Sequence, residues 1–554
     1  MQSSHPDLLS NLLAKRGLSG EAAAQFLHPQ YERDVHDPFL FKDMGKAVGR
    51  IHDALTAGEQ IALFGDYDAD GVPGTALLSE WFRKIDAPVP EIYIPNRHTE
   101  DYGLSLRAID ELADKGVTLI ITIDCGITDV VEVAHARERG IDVIITDHHL
   151  PPPEVPAAYA IINPKSEGET YPFTELCGTG VAFKLVQALV RPEVYPITPG
   201  WEKWLLDLVA IATVSDMVSL TGENRVLVSF GLRVLHQTRR VGLRALMAKL
   251  RLAPSVVTED DIGFLIGPRI NSASRMSHAS EAYTLLTTES VAEAETIATH
   301  LEEKNKERKT IVESIIERVN EQLAAGELPP LIVVGEGGWS LGVLGLAASR
   351  LVESYSRPAF VWGVNEEGLM KGSCRSDGSV NMVELMRVAG GDELFANFGG
   401  HSEAGGFTVR AGQEDTFATR LMEVYETLKH APDASKNVVV DVQLPLDAAT
   451  VGTYRLFAPL TPFGMGNPKP VFLFEAVEIV GVRSFGNGGI HLELTFRNSK
   501  GRTVSAIGFF AKKNLGHFSF KEGDWVDLLA HMETSFYRGR EEFRLRIVDV
   551  TRVA

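Results

Sequence analysis

The sequence predicts an α/β protein of several domains: a parallel, doubly wound sheet, a long connecting helix, a second α/β domain and a small C-terminal β-barrel. Three features of the chain point there. Between about residues 60 and 216, Ile- and Val-rich runs alternate with helical patterns; from Glu293 to Ala325 a charged stretch carries apolar residues at a spacing of four; beyond Val438 short alternating strands follow Gly-rich turns. At 554 residues the chain exceeds a single hydrophobic core, and roughly three or four domains are expected.

Taken in order, residues 1–45 read as a helical extension and 46–292 as the parallel-sheet domain. Its clearest strands are Gln60 to Phe64, Leu119 to Ile123 and Val143 to Thr146. Each runs directly into polar residues: Gly65-Asp66-Tyr67-Asp68-Ala69-Asp70-Gly71, then Asp124-Cys125-Gly126, then Asp147-His148-His149. Ligands of open α/β sheets bind beyond the carboxyl ends of the strands, so three such ends are expected to share one crevice. Residues 293–328 form the connecting helix, with one apolar stripe at Ile311, Ile315, Val319 and Leu323, closed by Gly326 and Pro329-Pro330. The second α/β domain, 329–432, opens with the strand Leu331 to Val334 and ends near the polar stretch His430 to Asn437. Residues 433–554 then read as a barrel or sandwich, with an oligonucleotide-binding barrel as the natural candidate.

Composition narrows the function. With 44% apolar and 23% charged residues the chain is ordinarily globular. No apolar run approaches the roughly 20 residues of a membrane span, and the N-terminus lacks a secretory signal, so a cytoplasmic protein without a membrane partner is expected. Cys125, Cys177 and Cys374 have no CxxC spacing and read as reduced, buried thiols. The net charge of −20 argues against coating nucleic acid by bulk electrostatics, so contact with DNA must be local.

The carboxylates form a pattern. Asp66, Asp68 and Asp70 alternate directly after a strand, Asp124 ends the next, and Asp147-His148-His149 ends the one after. Asp216 follows the helical run Leu205 to Val214. Mixed His and carboxylate ligation suits Mn²⁺ or another transition metal better than Ca²⁺, and one carboxylate can bridge two cations roughly 3.5–4 Å apart. Such a pair polarises a phosphodiester and stabilises the leaving oxygen.

These four blocks, in this order, resemble the motifs of the DHH phosphoesterase superfamily. The resemblance implies a centre of two Mn²⁺ or Mg²⁺ ions held by Asp68, Asp70, Asp124, His148 and Asp216, with Asp124 bridging. It also implies that His149 binds or protonates the scissile phosphate beside Asp124 and His148, and that Asp66 and Asp147 support the ligands from behind. Many members carry a His where this chain has Phe64, which leaves the occupancy of the first metal position open.

Further blocks resemble the RecJ branch of the superfamily, over about residues 40 to 554: Tyr102-Gly103-Leu104-Ser105, Gly267 to Asn271 with Arg275, Lys371 to Ser376, Phe398 to Phe407 and Pro462 to Phe472. The branch implies a 5′ exonuclease that degrades single-stranded DNA to mononucleotides in repair and recombination. It implies a terminal-phosphate pocket of Arg107, Arg275, Ser373 and Arg375, and substrate contacts at Asn271, Gly399, Gly400 and His401. Implied partners are single-stranded DNA, a helicase and a single-strand-binding protein, with the chain a monomer. From Gly481 to Ala554, twelve Lys and Arg stand against eight Asp and Glu, and Phe536, Tyr537, Arg538 and Arg540 form a patch suited to stacking and phosphate contact; Phe536 equally suits a core. Two alternatives remain: a phosphodiesterase of short oligonucleotides or cyclic dinucleotides, against which the barrel counts, and a non-catalytic scaffold, against which the retained Asp and His residues count.

Overall fold

Strand β1 (Gln60–Gly65) sends Ile61 and Leu63 to one side and Ala62 and Phe64 to the other, the period-two alternation of a strand covered on both faces. In the computed structural model this strand is joined by β2 (Glu91–Tyr93), β3 (Val117–Ile123), β4 (Asp142–Thr146) and β5 (Ala160–Ile162) in an all-parallel sheet of order β2-β1-β3-β4-β5. Residues 7–100, 102–324, 326–430, 439–486, 489–509, 520–537 and 540–553 are described. From β1 the chain winds outward to β2 and then crosses back to β3, so the switch in winding direction lies between β1 and β3. That is where a doubly wound sheet opens its crevice.

The connecting helix, Val291–Ala324, spans 34 residues, about 50 Å at helical rise. Ala298 and Leu301 join the core of the first domain, while Val312, Ile315, Ile316 and Val319 pack with Val343, Leu344, Ala347 and Leu351 of the second. One rigid rod therefore fixes both units. The second sheet comprises β6 (Ile332–Gly335), β7 (Ala359–Val364), β8 (Met370–Arg375), β9 (Phe395–Gly400) and β10 (Ala404–Val409), in the order β6-β7-β8-β10-β9. Only the β6–β7 pair is parallel.

At the C-terminus a short strand β11 (Val442–Gln443) precedes β12 (Phe472–Phe485), β13 (His491–Arg497), β14 (Thr503–Gly508), β15 (Trp525–Tyr537) and β16 (Arg540–Arg552). The order β12-β13-β14-β16-β15 closes through a β12–β15 pairing, giving a five-stranded barrel with no free edge among those strands. The predicted fold class is thus found in each of its parts. The linker residues 431–437, Arg538 and the side chains of Phe536, Tyr537 and Arg540 lie outside the described residues.

The sequence reading treats the N-terminal helices and the barrel as opposite ends of the chain, and packing unites them. Leu8, Leu12 and Leu13 of the helix Leu8–Lys15 are buried in the barrel's own core. Arg225 pins this corner: its guanidinium donates to the carbonyls of Phe26, Pro459, Leu460, Thr461 and Pro462. Among the described residues no helix is long and apolar enough to cross a membrane.

Candidate metal centre

The parallel ladders continue one residue past the strands, and this aligns the carboxylates. Asp66 N donates to Ile123 O, Asp124 N to Thr146 O and Asp147 N to Ile162 O. Asp124 takes a positive φ of 63°, uncommon for a residue with a Cβ and typical of strain stored at functional sites. A Cβ on Gly178 would lie 2.3 Å from Asp124 Oδ1, so that position must be glycine for the carboxylate to sit there. Asp70 is clamped at the start of the helix Gly178–Leu189, where the N–H groups of Gly178 and Thr179 donate to its two oxygens at 2.6 and 2.7 Å. Asp68 Oδ1 accepts from Asp70 N, and Asn271 Oδ1 accepts from Ala69 N at 2.9 Å. Asn271, expected to touch substrate, thus braces the metal loop.

His148 Nε2 lies 3.2 Å from Asp124 Oδ1, 3.8 Å from Asp70 Oδ2 and 3.7 Å from Asp216 Oδ2. Burial, then His149, pushes His148 down to about 3, so its imidazole is neutral. Burial and then the neighbouring carboxylates raise Asp66 and Asp124 well above the usual range, Asp70 to about 6 and Asp216 to about 8. Asp66 Oδ1 and Asp124 Oδ1 are buried with no hydrogen-bond partner. Asp216 caps the carboxyl end of the helix Leu206–Ser215, where the helix dipole disfavours an anion. Converging lone pairs, neutral imidazole and orphaned carboxylate oxygens fit divalent cations, which would satisfy all of them at once.

Among the described residues three overlapping donor sets stand together, Asp66 with Asp68 and Asp124, Asp70 with His148 and Asp216, and Asp124 with His148 and His149, the ligand atoms of each lying within 4.8 Å of one another. Asp66, which the resemblance places behind the ligands, lies within ligand distance of Asp68 and Asp124. Phe64 contributes no ligand: it is fully buried and stacks on Tyr93 at 5.0 Å.

Asp147 orients the histidines. Its Oδ1 accepts from His148 N, His149 N and His149 Nδ1, at 2.7, 3.1 and 2.7 Å, and its Oδ2 from Ile127 N at 3.0 Å. Burial alone would raise Asp147, but the bond and charge of His149 outweigh it and hold the carboxyl below its usual range. His149 is moved the other way: burial lowers it, Asp147 more than compensates, and it rises to about 9. With Nδ1 engaged by Asp147 and near the Tyr102 hydroxyl at 3.1 Å, Nε2 is the nitrogen left for a ligand.

His149 lines a crevice of about 1050 Å³ between the two sheets, together with Arg97, Tyr102, Lys371, Ser373, Asn397, Gly399, Gly400 and His401. Arg375 and Ser373 both approach Gly345, and Arg275 donates to the carbonyl of Gly342 in the crevice wall. Burial and then Arg97 and Arg308 lower Arg275 to about 9, and Arg375 is lowered by burial and by Arg97. Such mutual repulsion marks one cationic cluster, and among the described residues no carboxylate forms an ion pair with Arg97, Arg275 or Arg375. Arg107 is not brought to the crevice. It pairs with Glu100 at 2.9 Å and Glu111 at 3.5 Å, its side chain 62% exposed, whereas Arg97 lines the crevice. Sequence reasoning missed Arg97, Tyr102 as the neighbour of His149, and Arg308. Arg97 sits five residues before Tyr102, ahead of the block Tyr102 to Ser105, and that proximity was the available signal.

Family models match three stretches: the N-terminal domain of the DHH family at residues 60–213, the DHHA1 domain at 300–427 and the RecJ OB domain at 440–549. The single-stranded-DNA-specific exonuclease RecJ of Bacillus subtilis is 37% identical over 98% of this chain and 67% of its own length. That of Haemophilus influenzae is 32% identical over 93% of this chain and 92% of its own. The chain belongs to the RecJ family. Among solved structures, Thermus thermophilus RecJ in complex with Mn²⁺ is similar with a TM-score of 0.79 and 29% identity, over 99% of this chain and 78% of that one. Its complex with Mg²⁺ gives a TM-score of 0.74 at 26% identity, over 98% and 74%. The RecJ resemblance read from the sequence motifs is thereby borne out, and the short-oligonucleotide alternative is not favoured.

Proposed function

We propose that this metal-dependent exonuclease engages single-stranded DNA by its 5′ end and releases mononucleotides, using two Mn²⁺ or Mg²⁺ ions. The observation that carries the proposal is the cluster of Arg97, Arg275 and Arg375, without carboxylate partners among the described residues, of which Arg97 lines, with Ser373, the crevice that His149 also lines. A terminal phosphate carries more charge than an internal diester, and guanidinium forks grip it in two places. A strand held there by its 5′ phosphate sets its first diester over the carboxylates.

Asp66, Asp68 and Asp124 would hold one cation, and Asp70, His148 and Asp216 the other, with Asp124 between them; bound cations would supply Lewis acidity at the scissile phosphate. His149 carries its proton at neutral pH because Asp147 raises it, and offers Nε2 to a phosphate oxygen. The β9–β10 hairpin brings Gly399, Gly400 and His401 against the strand, where glycine lets a nucleic-acid backbone approach the amides.

Single strands arise where a helicase has opened a duplex, and they attract single-strand-binding proteins; we place the enzyme with both in DNA repair and recombination. The crevice is complete within one chain, which supports a monomer, and three buried free cysteines support the reducing cytoplasm. The test is a single strand labelled at one defined end, digested with Mn²⁺. A 5′ label is expected to appear first as mononucleotide. Early release of mononucleotide from a 3′ label would overturn the proposal.

A further inference from the structure

The first and second domains touch backbone to backbone where the turn Leu341–Val343 lies on the helix Gly267–Met276. Arg275, on the last turn of that helix, donates from Nη1 to the carbonyl of Gly342 at 3.0 Å. A Cβ on Gly342 would lie 2.4 Å from Arg275 O and 3.2 Å from His98 Cε1. The turn has a conformation open to any residue, so close approach alone demands glycine there. Met276 joins Val343 and Leu344 in one apolar cluster, which holds the two backbones together.

Every group assigned to the 5′ phosphate is tied to this seam. Arg275 is part of it. Arg97 precedes His98, whose ring fills the other side of the seam and faces the backbone of Ser274 and Arg275. Their loop is braced by bonds from Asn96 N to Glu100 and from His98 N to Asn96 Oδ1, at 2.7 and 2.9 Å. In the second domain, Arg375 Nη2 and Ser373 Oγ lie 3.0 and 3.5 Å from the Cβ position of Gly345, three residues beyond Gly342. The same helix also reaches the metal loop, because Asn271 accepts from Ala69 N, between Asp68 and Asp70. One turn of rigid helix, about 5.4 Å, therefore separates the group that holds the metal loop from the group that holds the second domain. A contact made by side chains would absorb a small shift by changing rotamers; backbone packed on backbone transmits it.

We propose that Gly342, seated on Arg275, is a positioning residue: with the helical turn from Asn271 to Arg275 it fixes how far the terminal-phosphate pocket stands from the metals. A strand gripped by its 5′ phosphate then presents its first diester in register with the carboxylates. A strand ending in a 5′ hydroxyl is not gripped and settles on the metals by itself, so it does not sense the spacing. The proposal rests on the 5′-phosphate reading above.

The experiment is Gly342→Ala, whose methyl must push the second domain off Arg275. Single-turnover cleavage in Mn²⁺ is measured at saturation on otherwise identical single strands ending in 5′ phosphate or 5′ hydroxyl, with thermal unfolding alongside. On the 5′-phosphate strand the rate is expected to fall about 100-fold, the effect of an ångström of misplacement, with half-saturation changed only a few-fold because the phosphate is still held. On the 5′-hydroxyl strand the rate is expected to change only a few-fold. His98→Ala empties the other side of the seam without forcing it apart, and is expected to lower the 5′-phosphate rate about tenfold in the same selective way. It decides by the same criterion if Gly342→Ala does not fold. An equal loss on both strands with thermal unfolding unchanged would make the seam a general support and overturn the inference, as would an unaltered ratio of the two rates in folded Gly342→Ala. If the unaltered enzyme cuts both ends at the same rate, the 5′-phosphate reading itself falls.

Discussion

The metal centre and the barrel surface solve opposite problems. At the centre, several carboxylates are held by close hydrogen bonds: Asp70 by two helix N–H groups, Asp68 by its own loop, Asp147 by three backbone N–H groups and the His149 ring. On the barrel, Arg546, Phe509, His491 and Phe485 meet at centroid distances of 5 to 6 Å, roughly ordinary contact. Chemistry on a phosphate demands fixed geometry, so one lost group should be ruinous. Holding a flexible strand spreads over many weak contacts, so one lost group should be tolerated.

The sharpest break of this contrast is Asp124→Ala, which removes the carboxylate proposed to lie between the two cations. Turnover is expected to fall by at least roughly a thousandfold, beyond the 10–100-fold typical of groups behind the ligands, while affinity for long single strands largely survives. Substantial Mn²⁺-dependent hydrolysis by this variant would show that the shared position is wrongly assigned. Next in size are Arg97→Ala and Arg107→Ala measured side by side. Under single-turnover conditions Arg97→Ala should lower the preference for a 5′ phosphate over a 5′ hydroxyl by about 10- to 100-fold, the worth of a charge-assisted bond or two. Arg107→Ala should leave that ratio where it was, since its guanidinium is spent on Glu100.

A third substitution asks how firmly the tolerant region is attached. Arg225→Ala strands five backbone carbonyls at the corner of N-terminal helices and barrel, and a loss of about 2–4 kcal/mol is expected in denaturant titration. A change below about 0.5 kcal/mol, the usual effect of a surface substitution, would mean the corner is held by the leucines alone. The smallest effect belongs to Arg546→Ala. Affinity for long strands should drop only a few-fold, with the slope of log affinity against log salt reduced by about 0.7, one phosphate contact on a single strand. An unaltered slope would remove Arg546 from the strand's path.

Much of the candidate site was legible because its residues are local in sequence. Asp66, Asp68, Asp70, Asp124, Asp147, His148 and His149 each follow an apolar run, and a parallel sheet brings its strand ends together whatever the loops do. Arg107 against Arg97 was not legible. Both lie near the Tyr102 block, and only the turn of the chain that sets Glu100 beside Arg107 decides which guanidinium stays free. Nor does the neighbourhood of Asn271 in sequence hint that its side-chain oxygen accepts from Ala69 N, 202 positions earlier in the chain.

By itself, then, the amino-acid sequence determined the fold class, the order of the sheets and barrel, and the carboxylate–histidine set. Alternation and periodicity depend only on near neighbours, and a strand end followed by acid is a local signal. Tertiary structure alone decided that Asp66 comes within ligand distance of Asp68 and Asp124, that Phe64 stacks on Tyr93, and that the first helix completes the barrel's core. It also decided that Phe264 and Arg546, 282 positions apart, stand 6.0 Å from one another. Those outcomes turn on which distant surfaces meet, and burial, ion pairing and close approach are properties of a pair of surfaces that neither segment carries alone.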